Sequence, residues 1–191
     1  MEKGTGGRMT LAYNHPPMRS RFLRPGVFAI LVLAAAGLFA QDFDEWVLFS
    51  PPKGRFSVRL PGTPSERIDP ADGTHSFELR SGDQRTMVSW SDLSKAALRE
   101  KPQQILEQTR DRFLKLLPDS KLISSGPATV AGSPGLLWIL ETSPDNRAAL
   151  RMKGAAVISK GRVFTLGRMG GRYGFDEEAA DRWMSTFQIS K

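Results

Sequence analysis

The chain has no cysteine and only two histidines, His15 and His75, among its 191 residues. Without cysteine, the sequence excludes a disulfide framework, a thiolate metal site, a cysteine nucleophile and a lipid-accepting cysteine. A zinc site needs three or four histidine, cysteine or carboxylate ligands, and neither their number nor their spacing is present. We therefore predict no metal, no cofactor and a fold that is stabilised by its hydrophobic core alone.

The sequence also offers no set of side chains for catalysis. His15 lies in the N-terminal forty residues, so His75 is the one histidine beyond them. His75 shares one side of a predicted strand with Phe77 and Leu79, which favours a hydrogen-bonded core or edge histidine over a general base. Residues 132–135 (GSPG) differ from the G-x-S-x-G turn of hydrolases, because a proline follows the serine. We predict that the protein has no catalytic residue and is not an enzyme.

The N-terminal forty residues have the pattern of a secretory signal. An apolar run of 14 residues, 27–40, follows three arginines at positions 19, 21 and 24. Fourteen residues are too few for a membrane-spanning helix, which needs roughly 20. We therefore predict a cleaved signal over residues 1–40, a single domain over residues 41–191 and a periplasmic or extracellular protein without a stable membrane span.

Two details of this leader have alternatives. Cleavage after Ala40 suits the end of the apolar run, although it places Leu38 at the minus-three position, where a smaller residue is usual. Cleavage after Ala36 is the second choice. Met18 begins a leader of ordinary length. We therefore interpret residues 1–17 as a start-site extension.

The strongly basic charge does not extend to the predicted mature domain. The whole chain has 27 Lys or Arg and 20 Asp or Glu, a net charge of +7. Five of the basic and one of the acidic residues lie in the first forty positions, so residues 41–191 carry 22 and 19, a net charge of +3. No aromatic residues are interleaved with the basic side chains of the strands in the way that marks a nucleic-acid platform. We predict no nucleic-acid partner.

Residues 102–117 (PQQILEQTRDRFLKLL) form the clearest amphipathic helix of the chain. Pro102 suits the first helical turn, where a missing N–H costs nothing, and Pro118 cannot continue the helix. We expect Phe113 to be the central anchor of an apolar stripe that packs on a sheet. The predicted stripe comprises Ile105 or Leu106, Thr109, Phe113, and Leu116 or Leu117.

Most other segments have the alternation or composition of strands. Turn-forming residues at 81–83 and 160–161 indicate two hairpins. The pair Gly126-Pro127 is expected to interrupt one extended segment. The predicted strand segments are 46–49, 54–60, 65–68, 74–80, 85–91, 121–130, 136–141, 148–159 and 162–168.

A second helix is predicted after Asp176, a natural N-cap that two glutamates follow. Trp183 and Phe187 lie on its apolar stripe. Residues 136–141 (LLWILE) have apolar side chains at both odd and even positions, so both faces of this strand need to be covered. We therefore predict an α+β fold: a three-layer α/β/α sandwich in which a largely antiparallel sheet of about seven to nine strands carries a helix on each face.

Short motifs occur in a characteristic order between residues 46 and 189. They are GRFSV at 54–58 leading to LPGTP at 60–64, GSPG at 132–135 before an apolar strand, RVFTL at 162–166 and STF at 185–187. In this order they resemble the PsbP-like superfamily, which includes the extrinsic PsbP subunit of photosystem II, a Ran-binding nuclear-import protein and bacterial envelope proteins. The resemblance implies a single PsbP-like domain that binds or assembles with other proteins and has no shared catalytic residues to carry over.

We thus expect an exported, non-enzymatic PsbP-like domain of the cell envelope that binds a protein partner. The alternative is a carrier for a small ligand or lipid, with a pocket between the sheet and the helix at 102–117. Weak anion-binding candidates are Arg168, Arg172, Gly170 and Gly171, because guanidinium and backbone N–H groups could meet a phosphate or carboxylate there. Three acids at 176–178 argue against an anion, and a flexible connection is the competing interpretation of this loop.

Overall fold

The computed structural model describes residues 46–117, 119–142 and 149–190, so the predicted signal lies outside the described residues. The described chain is mostly strand, with two helices. The helices are α1 (Pro102–Leu116) and α2 (Glu177–Ser185). The strands are β1 (Val47–Phe49), β2 (Phe56–Leu60), β3 (Ser65–Ile68), β4 (His75–Ser81), β5 (Gln84–Asp92), β6 (Lys121–Val130), β7 (Ser133–Glu141), β8 (Leu150–Ser159), β9 (Arg162–Gly171) and β10 (Gln188–Ile189).

The strands form two antiparallel sheets. The larger sheet has seven strands in the order β3-β4-β5-β9-β8-β7-β6, and the smaller has three in the order β1-β2-β10. The larger sheet matches the predicted strand number and direction. The smaller sheet was not predicted, because β1 and β10 have three and two residues, too few to show an alternation from which pairing could be inferred.

Both predicted hairpins are confirmed, β4 with β5 and β8 with β9. Two other predictions, one about an interruption within a strand and one about a strand end, are wrong. β6 is continuous through Pro127, because β6 is an edge strand, where a residue without an N–H can face solvent. β9 continues past Arg168, where Gly170 and Gly171 pair with β8 instead of forming a flexible connection.

Two hydrophobic clusters take alternate residues of the same strands. Along β8, Ala155 and Val157 belong to one cluster, and Met152 and Ala156 to the other. Because successive side chains of a strand point to opposite faces, the clusters lie on opposite faces of the seven-stranded sheet. The β2–α2 cluster comprises Phe56, Val58, Leu60, Phe77, Val88, Trp90, Val130, Ala155, Val157, Phe164, Leu166, Trp183, Met184 and Phe187. The α1 cluster comprises Leu106, Leu136, Trp138, Leu140, Met152 and Ala156.

Helix α2 begins as predicted. The carboxylate of Asp176 accepts a hydrogen bond from the Ala179 N–H at 2.8 Å, the N-cap contact that the sequence indicated. Trp183 is fully buried and donates from its indole N–H to the carbonyl of Arg59 on β2 at 3.1 Å. Lys153 of β8 forms an ion pair with Asp181 at 2.7 Å. These contacts hold α2 against both sheets.

Helix α1 has its predicted span to within one residue, but its anchor is different. Leu106 is 3% exposed and belongs to the α1 cluster. Phe113 is only half-buried, with its ring 5.7 Å from that of Trp138, and Leu116 is 73% exposed. Phe113 and Leu117 of the predicted stripe are partly buried and pack against the α1 cluster, whereas Leu116, the alternative to Leu117, borders an open cleft.

We predict that Leu106→Ala lowers the free energy of unfolding by about 2–5 kcal/mol, the usual range for a buried leucine truncated in a core. Leu116→Ala, the same substitution ten positions along the same helix, should stay within about 0.5 kcal/mol. Chemical denaturation of both variants measures the contrast. Equal losses would contradict the packing of α1 described above.

Gly154 provides the space for Trp138 on the α1 side of the sheet. The two residues are cross-strand partners, and a methyl group built on Gly154 would overlap the Trp138 indole. Because Trp138 is almost completely buried, its ring has no free space to move into. A glycine is therefore required at this position.

Accordingly, Gly154→Ala should destabilise the protein by about 1–3 kcal/mol, as overpacking does. Gly126→Ala is the matched control, since a methyl group there meets nothing within 4 Å and Gly126 also lies in a strand. The control should be neutral or stabilising by up to about 1 kcal/mol. Thermal melts followed by circular dichroism compare the two, and a stable Gly154→Ala protein would refute the close packing.

Candidate functional site

A cleft with a volume of about 620 Å³ opens between α1 and strands β3, β4, β5 and β9. We call it the polar cleft. Its floor is formed by Ser76, Ser89 and Thr165, and Phe113 and Lys115 of α1 form part of its wall. This volume lies within the range of roughly 300–1,000 Å³ that is typical of small-molecule sites.

The cleft exists because one helix cannot cover a seven-stranded sheet. Strands lie roughly 4.7–4.9 Å apart, and a helix with its side chains is roughly 10–12 Å across, so one helix covers two or three strands. Helix α1 packs on β7 and β8. Within residues 46–117, 119–142 and 149–190, no helix packs on this face of the other half of the sheet, which comprises β9, β5, β4 and β3.

The floor of the cleft is a row of hydroxyl groups in register across three strands. Ser76 of β4 pairs with Ser89 of β5, and Ser89 pairs with Thr165 of β9. Ser89 is 8% exposed and Thr165 is 4% exposed. Among the described residues, none of these three hydroxyl groups has a hydrogen-bond partner. The hydroxyl oxygens are not among the fully buried polar atoms that lack a partner, so they are open to the cleft. The row can therefore accept hydrogen bonds from a molecule in the cleft and donate hydrogen bonds to it.

Three acidic side chains at the rim are already engaged. Glu78 pairs with Arg85 at 3.0 Å and with Arg80 at 3.4 Å. Asp69 accepts a hydrogen bond from the backbone N–H of Ala71 at 2.9 Å. These contacts satisfy part of the acceptor capacity of the carboxylates, and the two guanidinium groups offset the charge of Glu78.

Asp72 is the third engaged acid. Its carboxylate accepts from the backbone N–H of Thr74 at 2.9 Å and lies 3.4 Å from an Arg112 guanidinium nitrogen. The hydrogen bond from the Thr74 side chain is the largest cause that lowers the pKa of Asp72 below its ordinary value, and Arg112 lowers it further. Partial burial opposes both.

Two cations of the cleft have no such compensation. Arg67 lies on β3 as the cross-strand partner of Ser76, so it extends the hydroxyl row, and Lys115 lies on α1. Within the ranges that the structure describes, neither side chain forms an ion pair. Asp72 and Glu78 are paired with arginines, so the charges of the lining that stand outside ion pairs are those of Arg67 and Lys115 against that of Asp69. The balance that the cleft offers to a ligand is therefore positive by one charge.

The four predicted anion-binding residues lie together at the end of β9, away from the polar cleft. Arg168 is 5% exposed, and burial is the main cause that lowers the pKa of its guanidinium below the ordinary value. Arg172 lies 3.5 Å from the carboxylate of Glu141. Gly170 and Gly171 pair with β8 through the ladder. An anion would compete with Glu141 for Arg172, and the anion-binding role stays a prediction.

His75, the first residue of β4, is partly buried and hydrogen-bonded, as expected, but β4 is not an edge strand. Its Nδ1 lies 2.9 Å from Glu66 Oε1, and its ring stacks on Trp90 with centroids 4.1 Å apart. The guanidinium of Arg162 lies 3.8 Å from the Trp90 ring centre. These contacts account for His75 as part of the packing of β3, β4 and β5.

The described part of the chain has neither a metal-ligand cluster nor a helix that could span a membrane. No group of three His, Cys, Asp or Glu side chains comes together there as a metal ion would require. Neither α1 nor α2 has the length and apolar composition that crossing a lipid bilayer demands.

Comparison with solved structures identifies the fold. The solution structure of cyanobacterial PsbP from Synechocystis sp. PCC 6803 is similar, with a TM-score of 0.51 and 15% sequence identity. The similarity covers 75% of this chain and 91% of the PsbP chain. The chain has a PsbP-like fold. The resemblance stated from the short sequence motifs is therefore confirmed at the level of fold.

Weaker similarities extend to two further bacterial proteins. LpqN of Mycobacterium tuberculosis, described as involved in cell envelope biogenesis, has a TM-score of 0.43 and 17% identity over 78% of this chain and 80% of LpqN. PA94 of Pseudomonas aeruginosa, a protein of unknown function and putative regulator, has a TM-score of 0.45 and 14% identity over 74% of this chain and 94% of PA94. No protein-family model and no curated protein matches the sequence. The PsbP-like fold thus rests on the cyanobacterial structure.

We predict that Thr74→Val raises the pKa of the Asp72 carboxyl toward its ordinary value, because the variant loses the largest cause that lowers it. Arg112→Gln should raise the same pKa by less. A lowered carboxyl pKa stabilises the folded protein above the unfolded pKa, and this contribution is lost as the pH falls through the folded value. Carboxyl ¹³C titration by NMR measures both variants, and a larger rise for Arg112→Gln would contradict the assignment.

Proposed function

We propose that the protein is an exported, non-enzymatic PsbP-like domain that acts as a binding or assembly subunit of the cell envelope. The observation that carries the proposal is the PsbP-like fold, which covers 91% of cyanobacterial PsbP. The secretory-signal pattern of residues 1–40 supports export. A partner role follows by analogy of fold, which is why the experiments below test it directly.

The two hydrophobic clusters support a further part of this proposal, the three-layer architecture. Trp183 and Met184 of α2 belong to the β2–α2 cluster, and Leu106 of α1 belongs to the α1 cluster on the opposite face of the sheet. We infer an α/β/α sandwich in which the three-stranded sheet shares a layer with α2. Each helix then completes the cover of one face of the large sheet.

Export is tested by expressing the full chain in a bacterial host with a C-terminal tag. We expect a tagged protein that is released with the periplasmic contents and that begins at Gln41 or Gly37 on N-terminal sequencing. Replacing Arg19, Arg21 and Arg24 by glutamate should keep the chain in the cytoplasm, because the positive region directs the signal. An intact N-terminus on membrane-bound protein would contradict the proposal.

The partner is sought by chemical cross-linking of envelope fractions followed by affinity capture and mass spectrometry. We expect a protein captured in near-stoichiometric amount with the exported chain and absent from an equally tagged, unrelated exported domain. The arginine-to-glutamate variant that stays in the cytoplasm is the matched control. Saturable hydrolase activity that one point substitution abolishes would contradict the non-enzymatic part of the proposal.

A second candidate function is a carrier that holds a small ligand in the polar cleft. The cleft supports it because the cavity lies between α1 and the sheet, where the carrier hypothesis required one. Its hydroxyl floor favours a polar ligand over a lipid tail, since an apolar chain would leave the buried Ser89 and Thr165 hydroxyls without partners.

A further inference from the structure

We propose that the polar cleft binds a polyhydroxylated organic anion, such as a sugar acid or a phosphorylated sugar. The proposal deepens the carrier function given above as the second candidate. Three observations carry it: a floor of hydroxyl groups without partners, two rim cations that have no ion pair among the described residues, and an aromatic wall.

The floor matches a ligand that has several hydroxyl groups. A serine or threonine hydroxyl both donates and accepts, and so does each hydroxyl of a sugar. Directly paired residues of neighbouring strands have Cβ atoms roughly 4.5–5.5 Å apart, so Ser76, Ser89 and Thr165 repeat at a spacing comparable to the width of a sugar ring. The row can therefore bond several hydroxyls of one ligand at once.

The rim matches an anionic group at one end of that ligand. Arg67 continues the hydroxyl row on β3, next to Ser76, and Lys115 faces the same cleft from α1. Guanidinium and ammonium groups form strong, charge-assisted hydrogen bonds with carboxylate and phosphate. The carboxylates of Asp72 and Glu78 are paired with arginines, so they oppose an incoming anion less than free acids would. Asp69 has a hydrogen bond from the Ala71 N–H but no ion pair among the described residues, so one of the two cations offsets its charge.

The wall contributes the remaining contact. Phe113 is half-buried between the α1 cluster and the cleft, and Met87 and Val163 line the cleft from the sheet. An aromatic ring beside hydroxyl groups offers one apolar surface for the C–H face of a sugar ring. This role explains why a large aromatic residue is left half-exposed at a position that the helical periodicity assigns to the core.

The proposal is tested by isothermal titration calorimetry of the purified full chain. The probes are D-galacturonate, D-glucose 6-phosphate, D-glucose, inorganic phosphate and palmitate. We expect saturable binding of at least one of the two charged sugars, and the stronger of the two identifies carboxylate or phosphate as the anionic group. D-Glucose should bind at least about 10-fold more weakly, the effect of losing a hydrogen bond to a charged group.

Substitutions separate the floor from the rim. Thr165→Val, which keeps the side-chain shape, and Ser89→Ala should each weaken binding of the charged sugar about 2–12-fold, the usual effect of one neutral hydrogen bond. Lys115→Gln should reduce the preference for the charged sugar over D-glucose by about 10-fold. Thr129→Val and Lys95→Gln, at exposed positions outside the cleft, are the matched controls and should change nothing. Melting curves establish that each variant is folded.

Several outcomes overturn the proposal. If palmitate binds and neither charged sugar does, the carrier function stands but the proposed ligand class is wrong. Inorganic phosphate binding as tightly as the sugars would reduce the cleft to a simple anion site. The absence of saturable binding by both charged sugars would remove the proposed ligand, while the envelope role would still be decided by fractionation and cross-linking.

Discussion

The width of a helix relative to a sheet is the constraint on which the rest of this structure depends. On one face, a three-stranded sheet and α2 bring cover to the large sheet, and the β2–α2 cluster is apolar and closed. Among the described residues, α1 packs on β7 and β8 beside the α1 cluster, which takes the alternate side chains of the same strands. The uncovered half must then carry side chains that tolerate water. Serine and threonine meet this requirement in place of the apolar residues that fill the α1 cluster.

The same constraint relates the stability of the domain to its chemistry. Trp138, Leu106 and Met152 close the α1 cluster at the covered half of the face. Phe113 stands at the boundary, with one side near Trp138 and the other lining the cleft. A site placed beside a packed core is held by rigid strands, which keep the hydroxyl groups of the floor at fixed positions.

Much of the fold could be predicted from the sequence, because its signals are local. Alternation identified β2, β4 and β5, the Asp176 cap located α2, and Pro102 located the start of α1. The order of the short motifs also led to the correct fold. The small sheet could not be foreseen, since β10 has only two residues and pairs with a strand more than a hundred positions away.

The polar cleft was foreseen in position but not in chemistry. The signal was present in the sequence, because Ser76, Ser89 and Thr165 alternate with the apolar residues of their strands. The alternation does not show whether the polar side of each strand faces bulk water or forms part of a site. Only the pairing register, which depends on long-range contacts, shows that the three hydroxyls form one row. Helical periodicity left Leu116 and Leu117 as alternatives, because it does not show which of the two meets the sheet; only Leu117 packs against the α1 cluster.

The edges of the large sheet affect how the protein behaves at high concentration. An exposed edge strand presents unpaired N–H and C=O groups, which invite another chain to add a strand and begin aggregation. At one edge, β6 contains a bulge between Leu122 and Ser124 and a proline at position 127, and both disturb the regular ladder that an incoming strand would need. At the other edge, β3 is four residues long and carries the charged side chains Glu66 and Arg67. Each border of this wide sheet thus has features that oppose the addition of another strand: irregularity at β6, and short length with charge at β3.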